Sequence, residues 1–389
     1  MKKVKILIAD SSPVYTKMFK SAIEEVDDST SIISVNDGNE AANIIVQKSP
    51  DIVIIDAEIK GKDLSELIKL VMRCNPKQFI LVTARPSSTS AKVFVEALSA
   101  GASDCMTKPI YDSYNENFET VKNKMSDILG IQRTGNIEES QTNVLIKQSV
   151  DGLEKQSADN ETGRHGADAS DMHGSESKNR KAKSAVSGSK AKKSTPGKAF
   201  RPQIILIAVS TGGPRALETI LPAINPDIPV PILVVQHMPP HFIGTLVERL
   251  NTKATINVKV AEDGEKLTGK TVYFAPGGVH MRLNSDNVVY LDDSPPLNGV
   301  RPAADALFES VAHTFKGIRI LTVVLTGMGH DSLRGLVQLK EMKKCYSIAQ
   351  SEKTCVVYGM PRAVVEAGLA DKILDLDKIA AEINGFTYI

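Results

Sequence analysis

Tryptophan is absent from the 389 residues, and tyrosine and phenylalanine number only eight and ten. Sequence-tolerant binding of single-stranded nucleic acid needs aromatic platforms set among basic residues. The formal net charge of +1 supplies no overall basic excess either, which argues against the chain as a whole being a nucleic-acid binder. The four cysteines (Cys74, Cys105, Cys345, Cys355) have no CxxC spacing, so neither a zinc site nor a redox pair is written here. They are expected to be reduced thiols of a cytosolic protein. No apolar run approaches the length of a membrane-spanning helix, and Ile6-Leu7-Ile8-Ala9 after the N-terminal lysines is too short for a signal peptide. A cytoplasmic protein without membrane insertion is expected.

What is present is a hydrophobic fraction of 42%, ample for two or three cored domains. The middle of the chain divides it. No aromatic residue occurs between Phe118 and Phe200, residues 151–176 carry seven acids against two bases, and residues 178–198 carry eight bases and no acid. Such a segment buries too little apolar surface to offset its ordering entropy. Residues 131–200 are therefore read as a disordered low-complexity linker, leaving globular units at 1–130 and 201–389. The basic run is a spacer or a patch for nucleic acid or acidic lipid; without interleaved aromatics the spacer is favoured.

The first unit alternates β-branched runs near 4–9, 31–35, 52–55, 79–82 and 104–107 with helical patterns at 13–27, 38–48, 64–73, 90–100 and 115–129. Five βα units predict a doubly wound parallel sheet, which binds ligands at the carboxyl ends of its strands. Asp10, Asp56, Thr83 and Lys108-Pro109 fall at those ends. A carboxylate there can attack a phosphoryl donor if Mg²⁺ screens the like charges. Lys108 would neutralise the acyl phosphate, and the Thr83 hydroxyl would bond a phosphoryl oxygen. Together these residues resemble a response-regulator receiver domain, a flavodoxin-like fold, with Asp56 in the phosphoacceptor place and Asp10 and Asp56 as metal ligands. Three positions depart from that pattern. Ser11 replaces an acid that commonly ligates the metal, Lys60 replaces a proline, and Cys105 replaces an aromatic switch residue. Loss of one carboxylate is expected to weaken Mg²⁺ binding.

In the second unit, strands are predicted at 204–209, 232–236, 271–275 and 318–326, with helices at 214–224, 241–252, 302–316, 332–343 and 359–368, again an α/β and largely parallel sheet. Ser210, His237 and Asp331 follow three of those strands. Residues distant in sequence thus meet along one sheet edge, as a Ser–His–Asp triad requires. Ala208-Val209-Ser210-Thr211-Gly212-Gly213-Pro214 reads as a sharp strand-to-helix turn close to G-x-S-x-G. The order Ser…His…Asp matches none of the α/β-hydrolase, chymotrypsin or subtilisin orders. Thr326-Gly327-Met328-Gly329-His330-Asp331 offers backbone N–H groups for an oxyanion. A phosphate cradle in Ser-Thr-Gly-Gly is the competing reading, but it leaves His237 unused. His280 is open between a structural and a cleft-lining role, and His330 between loop packing and cleft polarity. No histidine has metal-ligand spacing.

Those motifs, with Gln236-His237-Met238-Pro239-Pro240, Ala275-Pro276-Gly277-Gly278, Arg301-Pro302 and Val357-Tyr358-Gly359-Met360-Pro361, resemble the chemotaxis protein-glutamate methylesterases of the CheB type. Their catalytic domain is a Rossmann-like α/β fold. The resemblance implies hydrolysis of glutamate γ-methyl esters on methyl-accepting chemoreceptors with release of methanol, and deamidation of receptor glutamines. It implies Ser210 as nucleophile, His237 as base, Asp331 as its orienting acid, and the backbone N–H groups of Met328 and Thr211 as oxyanion donors. No cofactor is implied for the ester chemistry. A chemotaxis histidine kinase would phosphorylate Asp56 and relieve obstruction of the cleft by the receiver. Ser332 stands where the family has glycine, which is expected to stiffen the loop. An esterase with a purely docking receiver, and a non-enzymatic scaffold, are the alternatives.

Overall fold

The computed structural model describes residues 3–75, 78–87, 89–134, 200–315 and 317–387. The expected linker at 131–200 lies outside the described residues from 135 to 199.

The N-terminal sheet comprises β1 (Lys5–Ala9), β2 (Ser31–Val35), β3 (Ile52–Asp56), β4 (Phe79–Ala84) and β5 (Asp104–Thr107). It is wholly parallel in the order β2-β1-β3-β4-β5. Strands such as Ile-Val-Ile-Ile-Asp are buried along their whole length, as expected of a sheet covered on both faces. The covering helices are α1 (Pro13–Val26), α2 (Gly38–Lys48), α3 (Leu64–Cys74), α4 (Ser90–Ala100) and α5 (Tyr114–Thr134). Proline opens α1, where its missing N–H costs nothing. The Asp37 and Asp63 carboxylates accept the first free N–H groups of α2 and α3, a capping contribution of about 1 kcal/mol each. The expected fifth helix runs on through Thr134.

The second sheet is also parallel, in the order β14-β13-β12-β6-β7-β9-β8. Its strands are β6 (Ile204–Val209), β7 (Ile232–Gln236), β8 (Asn257–Val260), β9 (Thr271–Phe274), β12 (Ile320–Val324), β13 (Cys345–Gln350) and β14 (Lys372–Leu374), while β10 (His280–Leu283) and β11 (Val289–Asp292) form a separate antiparallel hairpin. Its helices are α6 (Gly213–Ile220), α7 (Pro240–Lys253), α8 (Ala304–Thr314), α9 (Leu333–Glu341), α10 (Met360–Glu366) and α11 (Leu376–Thr387). The four expected strands are present. The sequence reading passed over β8, β13, β14, α11 and the hairpin; β8, β14 and the hairpin strands are runs of three or four residues with two or three apolar positions and give no clear period. Chain order reverses at β6, whose neighbours are β7 and β12. The loops after these strands therefore surround a crevice at their carboxyl ends.

The two sheets share an interface. The Phe94 ring of α4 stacks on Phe242 of α7 at 5.3 Å, worth about 1 kcal/mol beyond the area it buries. Val95 belongs to the apolar core of the second sheet. Met328 and Val357 pack into the apolar cluster of the first. Ser99 donates to Glu218 at 2.5 Å, and Glu218 also receives Arg249 and Lys253 at 2.7 Å each. Burial would raise the Glu218 carboxyl, but these donors hold it below its ordinary range.

Candidate active site

Ser210 leaves β6 at the switch point. Its N–H donates to Thr326 O at 3.0 Å, and its own carbonyl accepts the N–H of Gly213 at 2.8 Å. The turn between them needs Gly212 at φ +79°, a conformation that costs a residue with a Cβ about 1–2 kcal/mol. Gly327 serves a different purpose: a Cβ there would lie 2.8 Å from Ser210 Cβ. The loop after β12 can thus run directly beside the serine.

His237 follows β7, its N–H held by Val209 O at 3.1 Å. Its Nε2 lies 2.7 Å from Asp331 Oδ2. Asp331 is 3% exposed and every one of its acceptor sites is engaged. Oδ2 also accepts the N–H of Ala304 at 2.5 Å, and Oδ1 accepts the N–H of Asp305 at 3.1 Å and the Asn298 amide at 2.9 Å. Asp331 therefore caps the start of α8 from another loop, where the helix dipole favours an anion. Burial would raise its carboxyl, but the bond to His237, the imidazole charge and the two helix N–H groups outweigh that and hold it below its usual range. An ionised Asp331 accepts from Nε2–H, which leaves His237 Nδ1 as the basic nitrogen. Among the described residues Nδ1 has no hydrogen-bond partner.

Ser210, His237 and Asp331 line one cavity of about 720 Å³ with Thr211, Met328, His330 and Arg301. Neither the Thr211 N–H nor the Met328 N–H donates a hydrogen bond among the described residues. Residues of the N-terminal unit also line it: Asp104 and Cys105 from β5, Phe94 from α4 and Lys124 from α5. Thr211 Oγ1 donates to Asp104 Oδ2 at 3.2 Å, and the Gly212 N–H donates to Ser103 O at 3.1 Å. Burial pushes the Cys105 thiol well up, so it is a packing group rather than a nucleophile.

His280 is the first residue of the hairpin and is fully buried. Its Nδ1 accepts the Ala303 N–H at 3.1 Å and its Nε2 faces Pro295 O at 3.2 Å. Burial lowers its pKa, and a neutral imidazole holding the residue before α8 is a structural role. His330 lies on the cavity wall.

Three contributors escaped the sequence reading. Gln236 Nε2 donates to the carbonyls of both Ser210 and His237 at 3.1 Å, fixing the two turns against each other. Asn298 and Asp305 flank Asp331. Gln236 and Arg301-Pro302 stood within quoted motifs, but nothing marked Asn298 or Asp305, since an Asn-Gly turn and an acid in a helix's first turn are commonplace.

In the first sheet Lys108 Nζ lies 2.7 Å from Asp10 Oδ2 and 3.0 Å from Asp56 Oδ2, all three groups buried. Burial raises the Asp10 carboxyl despite Lys108. The fully buried Thr83 hydroxyl has no hydrogen-bond partner among the described residues. Ser11 and Lys60 are exposed. Among the described residues no group of three or more His, Cys, Asp or Glu side chains gathers around a metal position.

Residues 205–383 match the CheB methylesterase family and residues 6–115 match the response regulator receiver domain. The chain is 34% identical over 388 residues to the protein-glutamate methylesterase/protein-glutamine glutaminase of Geobacillus kaustophilus, covering 98% of each chain. The enzyme of that name from Thermotoga maritima is 32% identical over 383 residues, 98% of this chain and 97% of that one. The crystal structure of the Thermotoga maritima CheB methylesterase catalytic domain aligns with 41% identity over 47% of this chain and 97% of that chain, with a TM-score of 0.45. With these two full-length relatives 34% and 32% identical over 98% of its residues, the chain belongs to the protein-glutamate methylesterase/protein-glutamine glutaminase family, carboxylic ester hydrolases that carry a receiver domain.

Proposed function

We propose that the chain hydrolyses glutamate γ-methyl esters on the cytoplasmic part of methyl-accepting chemoreceptors and deamidates receptor glutamines, under control of Asp56. The observation that carries this reading is the 2.7 Å contact of His237 Nε2 with Asp331, which leaves Nδ1 basic in the cavity that Ser210 also lines. Ser210 Oγ attacks the ester carbonyl as His237 Nδ1 takes its proton, and Asp331 steadies the imidazolium. The oxyanion is received by the free N–H groups of Met328 and Thr211, each such donor worth roughly 3–4 kcal/mol. The C–O bond to methoxide breaks as His237 returns the proton, and methanol leaves. Water, deprotonated by His237, then attacks the acyl-enzyme and frees the glutamate. With a glutamine side chain the leaving group is ammonia.

The domain division of this reading is a receiver at 1–130, a linker at 131–200 and a catalytic domain at 201–389. In the receiver, Asp10 and Asp56 would hold Mg²⁺, which would screen the phosphoryl donor from the attacking carboxylate. The unpaired Thr83 hydroxyl and the Lys108 ammonium suit phosphoryl oxygens. A chemotaxis histidine kinase is the donor this reading requires. The receiver wall of the cavity restricts access, and phosphorylation would loosen it.

The test is methanol release from methylated chemoreceptor by the full-length protein, with and without a small phosphodonor plus Mg²⁺, with Ser210→Ala as the blank. Stimulated, Ser210-dependent release is expected. Equal rates in both conditions would reduce the receiver to a docking module, and no Ser210-dependent release would overturn the esterase reading.

A further inference from the structure

Behind the triad, two helices exchange carboxylates. Asp331, just ahead of α9, receives the N–H groups of Ala304 and Asp305 at the start of α8. Asp305, in the first turn of α8, receives the N–H of Gly335 in the first turn of α9 at 2.8 Å. The Asn298 amide ties the two together, donating one hydrogen to Asp305 Oδ2 at 2.8 Å and the other to Asp331 Oδ1 at 2.9 Å. Asp305 is 1% exposed and is not itself among the residues that line the cavity, whereas Asn298 and Asp331 are. A second buried acid beside a triad acid is costly unless something uses it.

We propose that Asp305, acting through Asn298 and the paired helix starts, is the positioning residue of the triad: it fixes the rotamer of Asp331 that meets His237 Nε2, and its charge adjusts the basicity of that imidazole. This rests on Asp331 orienting His237 in the esterase reading. The geometry supports it because Asp331 has no freedom left once Asn298, Ala304, Asp305 and His237 are bonded. Only the Asn298 amide among these donors is itself held by another side chain. Misplacing a reacting or orienting group by about 1 Å costs on the order of 100-fold in rate.

The electrostatic part has a defined surround. Asp305 faces Asp331 from the loop ahead of α9, and Arg334 from α9, which is paired with Glu309 of α8. His237 lies on the far side of Asp331. Burial first, and the Asp331 charge second, push the Asp305 carboxyl up to about 7, against the lowering effect of Gly335 N–H, Asn298 and Arg334. Asp305 therefore gains its charge as pH rises through about 7. An added anion raises an imidazole pKa, so its loss lowers it.

The experiment uses the full-length protein with Asp305→Asn and, separately, Asn298→Gly. The glycine keeps the backbone at Asn298, φ +53°, while removing the shared amide. The His237 ring is titrated by NMR, its signal assigned with His237→Gln, and kcat and KM for methanol release are followed against pH. In the parent, the His237 signal is expected to show a second inflection as Asp305 ionises. In Asp305→Asn that inflection disappears, the His237 pKa falls, and kcat drops between about 10-fold and about 100-fold with KM nearly unchanged. Asn298→Gly is expected to lower kcat in the same direction, and it decides the matter if Asp305→Asn does not fold. Folded variants that keep the parent's His237 titration and pH profile would overturn the proposal, as would a loss confined to thermal stability. If the parent itself releases no methanol in a Ser210-dependent way, the esterase reading fails, and the NMR titration still decides the positioning role.

Discussion

The Asp104 carboxylate of the receiver accepts the hydroxyl hydrogen of Thr211, the residue that follows the candidate nucleophile, at 3.2 Å. The same Asp104 oxygen is held by Lys124 at 2.7 Å, so the grip on Thr211 comes from a charge already anchored on α5. Met328, the other expected oxyanion donor, packs its side chain into the receiver's apolar cluster. Both donors are thus tethered to the regulatory half of the chain, and both tethers must survive or break with the receiver's state.

Asp104→Ala is expected to raise the Ser210-dependent methanol release of the unphosphorylated protein. A hydrogen bond to a charged group contributes about 1.5–3 kcal/mol, so the closed arrangement weakens by roughly tenfold to a hundredfold at ~1.4 kcal/mol per decade. The stimulation by phosphodonor shrinks correspondingly. A lower basal rate in a folded variant would show that Asp104 supports Thr211 for catalysis instead of restraining it.

Ser11→Asp restores an acid beside Asp10, in a place where the serine is exposed and the change carries little folding cost. One further unit charge about 4 Å from a divalent cation in water contributes about 2 kcal/mol. The Mg²⁺ concentration for half-maximal acyl-phosphate formation on Asp56 should fall by roughly tenfold or more. An unchanged requirement would mean that position 11 lies outside the metal's reach, and that Ser11 is no explanation for weak binding.

How much of this was legible in the sequence differs between the two layers of the site. Ser210, His237 and Asp331 each follow a strand of β-branched residues in a polar or glycine-bearing turn, and strand ends in a parallel sheet converge by topology alone. Their placement around one cavity is therefore readable without coordinates. Asp305 and Asn298 reach Asp331 through the start of α8 and a loop with left-handed backbone at Asn298, relations of tertiary packing that leave no periodic trace. His280 was ambiguous for the same reason: its partners Ala303 and Pro295 are set by how the hairpin packs on α8. The receiver's grip on Thr211 was likewise invisible, since Asp104 and Thr211 are 107 positions apart.

The two buried acids pull stability in opposite directions with pH. Asp305 keeps its proton in the folded protein up to about 7, well above the ordinary value near ~3.9. Its contribution is therefore full below about pH 4 and is lost as pH rises through about 7. Asp331, held below its ordinary range, contributes above that range and loses its share as pH falls. Calorimetric unfolding at pH 5 and pH 8 should show the parent losing more stability across this interval than Asp305→Asn, by a few kcal/mol at ~1.4 per pKa unit. Equal losses would place the Asp305 carboxyl at an ordinary acidity.

Ser332 stands one residue past Asp331 with φ +94° and ψ −18°, a region that favours glycine. It is fully buried, and its hydroxyl has no hydrogen-bond partner among the described residues. Two costs coincide: backbone strain of about 1–3 kcal/mol and an unsatisfied buried hydroxyl of about 1–3 kcal/mol. Ser332→Gly removes both, at the expense of roughly 1 kcal/mol of extra freedom in the unfolded chain. The net gain should be about 1 kcal/mol or more, read as a rise of roughly 2–4 °C in the melting temperature of a domain this size. A serine there also stiffens the turn that carries Asp331 to His237. If that stiffness serves the triad, the glycine variant will be the more stable protein and the slower one, with kcat reduced and KM unchanged. A variant that melts lower than the parent would mean that Ser332 is not strained, and that its hydroxyl stabilises the turn.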